Sequence, residues 1–336
     1  MQQKSVSFLE KFKDHRTIAI LAIIICTVLW GLSFISSKSL LNAGLTPIQI
    51  NSARFSTATI VFLLLYISRY FIRRIKTGYG SMSLHPTSLG VKDIRKSLIK
   101  MGLAALMGIP IYFLLETTGL SFTSAGTASL ITGLSPIINA IALFIFLKVR
   151  IASTQWLGII ISCFGVYVVA QADVSFAVSH TVMFGNCLVF LSACSWVTYT
   201  IINKPLTLKH DNLSLNTFQY LIGTFILLVI AFLKEGNPFP GWNLKIWLNI
   251  IYLGVFCSAL AFFLYLFALK RLNSTIITSF INLVPFVSVA GAGILLKEPI
   301  PLAKLLGGLL TIIGVYIVSS HNPQSVSRSH TLDEIS

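Results

Sequence analysis

The sequence predicts an all-α polytopic membrane protein in which ten transmembrane helices form two inverted five-helix repeats. Three observations predict it. The 336-residue chain is 55% hydrophobic and only 10% charged, against roughly 25% charged in soluble globular proteins. Its apolar residues fall in blocks of about 20, the length that crosses a hydrocarbon core. The stretch Leu157–Ala170, LGIIISCFGVYVVA, returns as Leu306–Ser319, LGGLLTIIGVYIVS, at an offset of 149 (307 − 158).

Taken in order, the apolar blocks predict spans at Thr17–Leu40, Thr46–Tyr70, Leu98–Thr118, Ser124–Leu147 and Thr154–Gln171. The second set is Met183–Asn203, Leu213–Leu233, Trp247–Leu269, Ser274–Leu296 and Pro301–Ser319. The first block lacks a small-residue cleavage site and reads as a retained span, not a removed signal peptide. The organisation expected is a polar, basic tail at 1–16, one repeat at 17–173, another at 183–320, and a Ser-rich disordered tail at 321–336. The 149-residue register also carries Pro136 onto Pro285 and Leu147-Lys148 onto Leu296-Lys297. Trp30 precedes Lys38 by the same step that separates Trp196 from Lys204, at an offset of 166 (196 − 30). The basic loop Phe71–Lys96 absorbs the difference.

Net charge is +15. In a soluble protein that would point to nucleic acid; here the cations sit in short loops on one side. With the N-terminus inside, nineteen of the 25 Lys and Arg residues fall on the inner side and four (Lys234, Lys245, Lys297 and Lys304) outside. Both termini are therefore expected in the cytoplasm, and nucleic acid is not an expected partner. Five spans per half is odd, so the second half enters the membrane from the opposite side. Secondary transporters are commonly built this way. The cysteines Cys26, Cys163, Cys187, Cys194 and Cys257 lie inside apolar blocks without metal or redox spacing, and are expected as unpaired packing residues.

Several stretches, together with the duplication, carry a resemblance. They are Trp30-Gly31-Leu32-Ser33-Phe34, Ala53-Arg54-Phe55, the run Tyr112–Pro136, Leu295–Pro299 and the two LG…GVY segments. From Ile18 to Ser319 the chain resembles an EamA-type member of the drug/metabolite transporter superfamily. The resemblance implies a small-metabolite carrier, amino acids and their relatives being the commonest class, more often exporting than importing. It also implies a bacterial inner-membrane location. One departure is visible. Leu296-Lys297-Glu298 is complete, whereas the first half reads Leu147-Lys148-Val149, without the acid.

The candidate site residues are the polar and aromatic groups inside spans. Arg54 lies about two turns into the second span, with Asn51 one turn before it on the same face. It reads either as a cation for an anionic substrate group or as a buried cation pinning two helices. Glu116 is the only acid well inside an apolar block, with Tyr112 at i−4. It reads as a proton carrier for coupling, as an ion-pair partner of Arg54 or Lys38, or as both. Trp30 shares a stripe with Ser33 and Ser37, and Trp196 one with Tyr199 and Asn203. Such stripes suit a wet cavity with apolar walls or plain helix packing. Gln219, Ser279 and Asn282 are polar within the second half. Ser279 and Asn282 precede Pro285 much as Ser129 and Thr132 precede Pro136. Both proline helices offer backbone to a midplane cavity, unless the hydroxyls only bond their own helix. Gly158, Gly165, Gly307, Gly308, Gly314 and the run Ala290–Gly293 read as close-packing positions, or as the seam of a homodimer.

There is no HExxH, P-loop or GxGxxG pattern, and the six histidines (His15, His85, His180, His210, His321 and His330) fall in loops or tails. No enzyme activity, cofactor or metal is expected. Transport would run on a gradient or by exchange, with a small molecule and the lipid bilayer as partners. The alternatives are a carrier of drug-like or nucleotide-sugar-like solutes and a structural or sensory membrane protein.

Overall fold

The computed structural model describes residues 2–77, 91–148, 152–172, 180–272, 277, 280–281, 283–298 and 300–320. Among these residues every regular element is helical. The tail expected at 321–336 and the link at 173–179 lie outside them.

The first half begins with α1 (Gln2–Asn42), which runs unbroken from the basic tail into the first apolar block. It stops where Gly44 adopts φ +90°, a conformation without penalty only for glycine. Next, α2 (Pro47–Thr77) is fixed by a reciprocal cap. Gln49 N donates to Thr46 Oγ1 and Thr46 N to Gln49 Oε1, both at 3.1 Å. The rod α3 (Val91–Leu106) continues through a π-helical segment, Met107–Ile111, into α4 (Tyr112–Phe122). Pro110 inside that segment explains it, because a proline cannot keep the α-helical ladder. The chain then breaks at Thr123 and restarts as α5 (Ala125–Thr132), capped by Ser124 Oγ accepting from Thr127 N at 3.1 Å. A turn at Gly133 and Leu134 leads to α6 (Ser135–Leu147) and then α7 (Ser153–Ala172).

The described helices of the second half come in a similar order. Its helices are α8 (His180–Lys209), α9 (Asn212–Glu235), α10 (Leu244–Ile251), a π segment at Tyr252–Leu260, and α11 (Ala261–Arg271). After these come α12 (Val284–Gly291), a π segment at Ala292–Leu296, and α13 (Leu302–Ser320). Two expected spans, Ser124–Leu147 and Ser274–Leu296, are thus interrupted next to Pro136 and Pro285. The proline ring clashes with the preceding turn, and a turn of Gly133 in one half and of Leu283 in the other absorbs the break. Among the described residues seven helical segments are long and apolar enough to cross a membrane: 16–42, 47–72, 95–122, 125–142, 180–209, 212–235 and 244–271. Three shorter apolar ones are Ser153–Val169, Val284–Leu296 and Leu302–Ile317.

Helices related by the duplication pack against each other in antiparallel pairs. Between α7 and α13, Ser162 Oγ donates to Thr311 O at 3.1 Å, and these two residues are equivalents at the 149-residue offset. Gly158 faces Gly314 and Gly165 faces Gly307 across the same seam. A Cβ on Gly165 would lie 2.6 Å from Gly307 O, so only glycine permits this approach. The glycine faces of α7 and α13 are therefore covered within one chain, and a homodimer would need another surface. α2 and α9 pair likewise, through Thr59 Oγ1 and Thr224 Oγ1 at 2.7 Å. Even the special backbone repeats: Lys148 and Lys297 share a left-handed φ of 53° and 55°.

The bundle has two ends. Thr46 bonds Glu235, Lys38 bonds Thr123 and Lys304 bonds Ser124 at what we call the Gly44 end. At the other, the Asp211 end, Arg69 pairs with Asp211 and Ser97 Oγ lies 3.2 Å from His210 Nε2. Large apolar residues such as Ile160, Phe164, Phe225 and Leu233 are exposed along the sides, as lipid-facing residues are. All five cysteines are free. Cys26 and Cys257 are buried packing residues, but Cys163 and Cys187 are exposed and pack against no core.

Candidate functional site

At the centre, the equivalent tryptophans Trp30 and Trp196 meet edge to face, with ring centroids 5.3 Å apart. Phe262 and Tyr265 of α11 close on both rings at 5.3–5.6 Å. Tyr112 lies 5.3 Å from Trp196, and Tyr199 stacks behind Trp196 at 5.0 Å. The Trp30 indole N–H donates to Cys257 O at 3.2 Å, a carbonyl of the π segment before α11. Edge-to-face contacts of this kind hold ring orientations firmly.

Of these rings Trp30, Tyr112, Trp196 and Phe262 wall a cavity of about 50 Å³. Arg54, Glu116, Tyr112, Ser33 and Thr132 line it too. An adjoining cavity of about 80 Å³ shares Ser135, Trp196 and Ile281 with it and runs along α6 to Asn139. A third, of about 430 Å³, lies at the Asp211 end around Arg69 and Lys270. It shares no lining residue with the other two.

Arg54 is only 1% exposed. Its Nε donates to Ser258 Oγ at 2.6 Å, and its guanidinium carbon lies 4.4 Å from the centre of the Phe113 ring. The ring face supplies negative potential to a buried cation. Glu116, also buried, accepts from Tyr112 OH at 2.7 Å. The ion pair expected from Glu116 to Arg54 or Lys38 is not formed: Arg69–Asp211 is the ion pair among the described residues. Lys38 instead donates to Leu120 O and Thr123 O at 2.8 and 2.7 Å. Arg54 and Glu116 nonetheless face one space.

The other sequence candidates take supporting places. Asn51 is buried and donates to Phe113 O at 3.0 Å and Thr117 Oγ1 at 3.1 Å, fixing the ring over which Arg54 sits. Gln219 donates to Asn203 Oδ1 at 2.7 Å, away from the cavity. Ser37 and Tyr199 are buried. Ser129 and Thr132 bond carbonyls of their own helix, so their hydroxyls stabilise the broken helix. Ser279 and Asn282 lie outside the described residues. Sequence reasoning missed Ser258, Phe113, Phe262 and Tyr265. A lone serine or an aromatic residue in an apolar block has no local mark. The signal that was available is the register itself: at the 149-residue offset Phe113 answers Phe262 and Glu116 answers Tyr265. His210, expected in a loop, is there but buried.

A bundle of apolar helices with a polar centre between two related halves defines a membrane transport protein. The EamA-like transporter family matches residues 17–171 and 183–320, so the chain belongs to that family, a branch of the drug/metabolite transporter superfamily. An uncharacterized transporter of Archaeoglobus fulgidus is 28% identical over 289 residues, covering 86% of this chain and 94% of that protein. The uncharacterized transporter YvbV of Bacillus subtilis is 24% identical over 312 residues, covering 93% and 94%. A solved crystal structure superposes with a TM-score of 0.62 at 16% identity, covering 90% of this chain and 98% of that one. That likeness concerns the fold alone.

Proposed function

We propose that this protein is a secondary transporter that exports a small organic metabolite, such as an amino acid, by alternating access between two inverted five-helix halves, 17–173 and 183–320. Both termini lie in the cytoplasm in this reading, in a bacterial inner membrane, so the Asp211 end faces inward. The antiparallel pairing of equivalent helices supports the inversion, with the three shorter apolar helices completing ten crossings.

One observation carries the substrate class. Arg54 and Glu116 line a single cavity that aromatic rings from both halves also wall. One guanidinium donor is used on Ser258, and an arginine has five, so donors remain for a carboxylate. A carboxylate acceptor at Glu116 suits an ammonium, and rings suit an apolar side chain. The two central cavities, about 50 and 80 Å³, fall well below the roughly 300 Å³ of a typical ligand site. A substrate therefore enters only as the halves part, as rocking about a fixed midplane site requires.

The test is reconstitution in liposomes with labelled amino acids under an imposed pH gradient. Gradient-dependent accumulation of at least one supports the reading. Movement only of nucleotide-sugar-like or drug-like solutes would transfer it to those substrates. No movement of any solute by folded protein would favour a structural or sensory role. Impermeant labelling that put the two termini on opposite sides would remove the inversion.

A further inference from the structure

At the Gly44 end a polar cluster joins the halves, and its charged members Glu298 and Lys304 have uncharged equivalents in the sequence of the first half. The junction between α4 and α5 is its target. Lys38 Nζ holds the last carbonyls of α4, on Leu120 and Thr123. Glu298 Oε1 accepts from Ala125 N, the first amide of α5, at 3.2 Å. Lys304, only 3% exposed, donates to the α5 cap Ser124 Oγ at 2.8 Å. Ser288 Oγ donates to Ala125 O at 3.2 Å. Lys38 and Glu298 match the helix ends they touch, since a helix C-terminus favours a cation and an N-terminus an anion; Lys304 acts instead by holding the cap hydroxyl itself. Three of these four side chains come from the second half, and the junction belongs to the first. Parting the halves at this end must break all three contacts.

The duplication shows what the opposite end would need. At the 149-residue offset Glu298 answers Val149 and Lys304 answers Gln155; at the 166-residue offset Lys38 answers Lys204. The acid and one cation are gone. Lys204, which remains, is exposed and makes no hydrogen bond among the described residues.

We infer that Glu298 and Lys304 form a one-ended latch that holds the transporter shut at the Gly44 end, so that releasing α5 is the step that opens this end. This rests on the alternating-access reading. Both are positioning residues: neither lines the central cavity. The latch biases the resting equilibrium toward opening at the Asp211 end, because a contact present in one state and lost in the other shifts populations by its differential free energy.

The test uses two cysteine reporters in the full-length protein in membranes, with background from the five native cysteines subtracted. Ser33→Cys reports the cavity when an impermeant maleimide is added at the Gly44 end. Asn139→Cys reports the second cavity from the Asp211 end. Glu298→Gln and Lys304→Met are each expected to raise labelling of the first about tenfold and to lower labelling of the second. Lys245→Gln, an exposed cation at the same end, is expected to change neither. A rise in both reporters would mean loosened packing and no latch, and unchanged rates in both variants would equally overturn the proposal. Because labelling needs no substrate, failure of transport in liposomes and failure of the latch are separate results.

Discussion

Arg54 is held by structural contacts in the cavity where the proposed substrate would bind. A buried cation without a carboxylate partner is costly; here Ser258 and the Phe113 ring face offset part of that. Lysine offers no planar group to lie over the ring and no Nε for Ser258. Arg54→Lys is therefore expected to lower transport in the liposome assay by about tenfold or more. Ser258→Ala, which keeps the ring contact, is expected to lower it less. Asp211, which lies between the spans and pairs with Arg69, carries a pH signature. Burial alone would raise the Asp211 carboxyl, but hydrogen bonds from Ser214 and Arg69 outweigh it and hold the carboxyl below its usual range. A depressed folded value stabilises above the unfolded pKa, about 3.9, and this is lost as pH falls through the folded value. Asp211→Asn keeps a good helix cap and removes the charge. It is expected to lower stability slightly at pH 7, by less than about 1 kcal/mol given the exposure of the pair, read as a small drop in unfolding temperature. The difference from the parent should fade below about pH 4. Neither role could be read from sequence, because Ser258 lies 204 residues from Arg54 and Arg69 lies 142 residues from Asp211.

Elements were more legible than residues, with a physical reason for each exception. Apolar blocks locate the helices because lipid forces every backbone polar group into internal hydrogen bonds. The π segments left little trace, since a shifted hydrogen-bond register alters no composition; only Pro110 marks one of them. The spans expected as continuous through Pro136 and Pro285 carry a short turn before each proline, at Gly133–Leu134 and at Leu283. The glycine seam was legible as spacing, but not the surface it met. That surface now supports a sharp comparison. A methyl group on Gly165 would lie 2.5 Å from Thr311 N, and overpacking of this kind typically costs about 1–3 kcal/mol. Gly102, inside α3, has nothing within 4 Å of the added carbon, and alanine there should stabilise by about 0.5–1 kcal/mol. Thermal unfolding in detergent is expected to place Gly165→Ala below the parent and Gly102→Ala at or above it. Equal effects would mean that α7 and α13 are not held together by glycine contact.

On the scale of the whole molecule, a duplicated scaffold carries chemistry that is not duplicated. The tryptophans repeat, the left-handed lysines repeat and the hydroxyl pair Ser162–Thr311 sits where the two copies meet. The ionisable groups of the cavity do not repeat: Arg54, Tyr112 and Glu116 all belong to the first half, and Tyr265 stands where Glu116 has its counterpart. In the proposed mechanism symmetry supplies two ways of closing around one centre, and Glu116, the acid lining the cavity among the described residues, is the group proposed to couple opening to a proton. Glu116→Gln keeps the size of the side chain and an acceptor for the Tyr112 hydroxyl but cannot ionise. It is expected to abolish accumulation driven by a pH gradient while leaving substrate exchange at equal pH intact, both measured in the same liposomes. Loss of both activities would place Glu116 in substrate binding. Retention of full gradient-driven transport would exclude it as the coupling residue, and with no other acid facing the cavity among the described residues, a proton would no longer be the coupling ion.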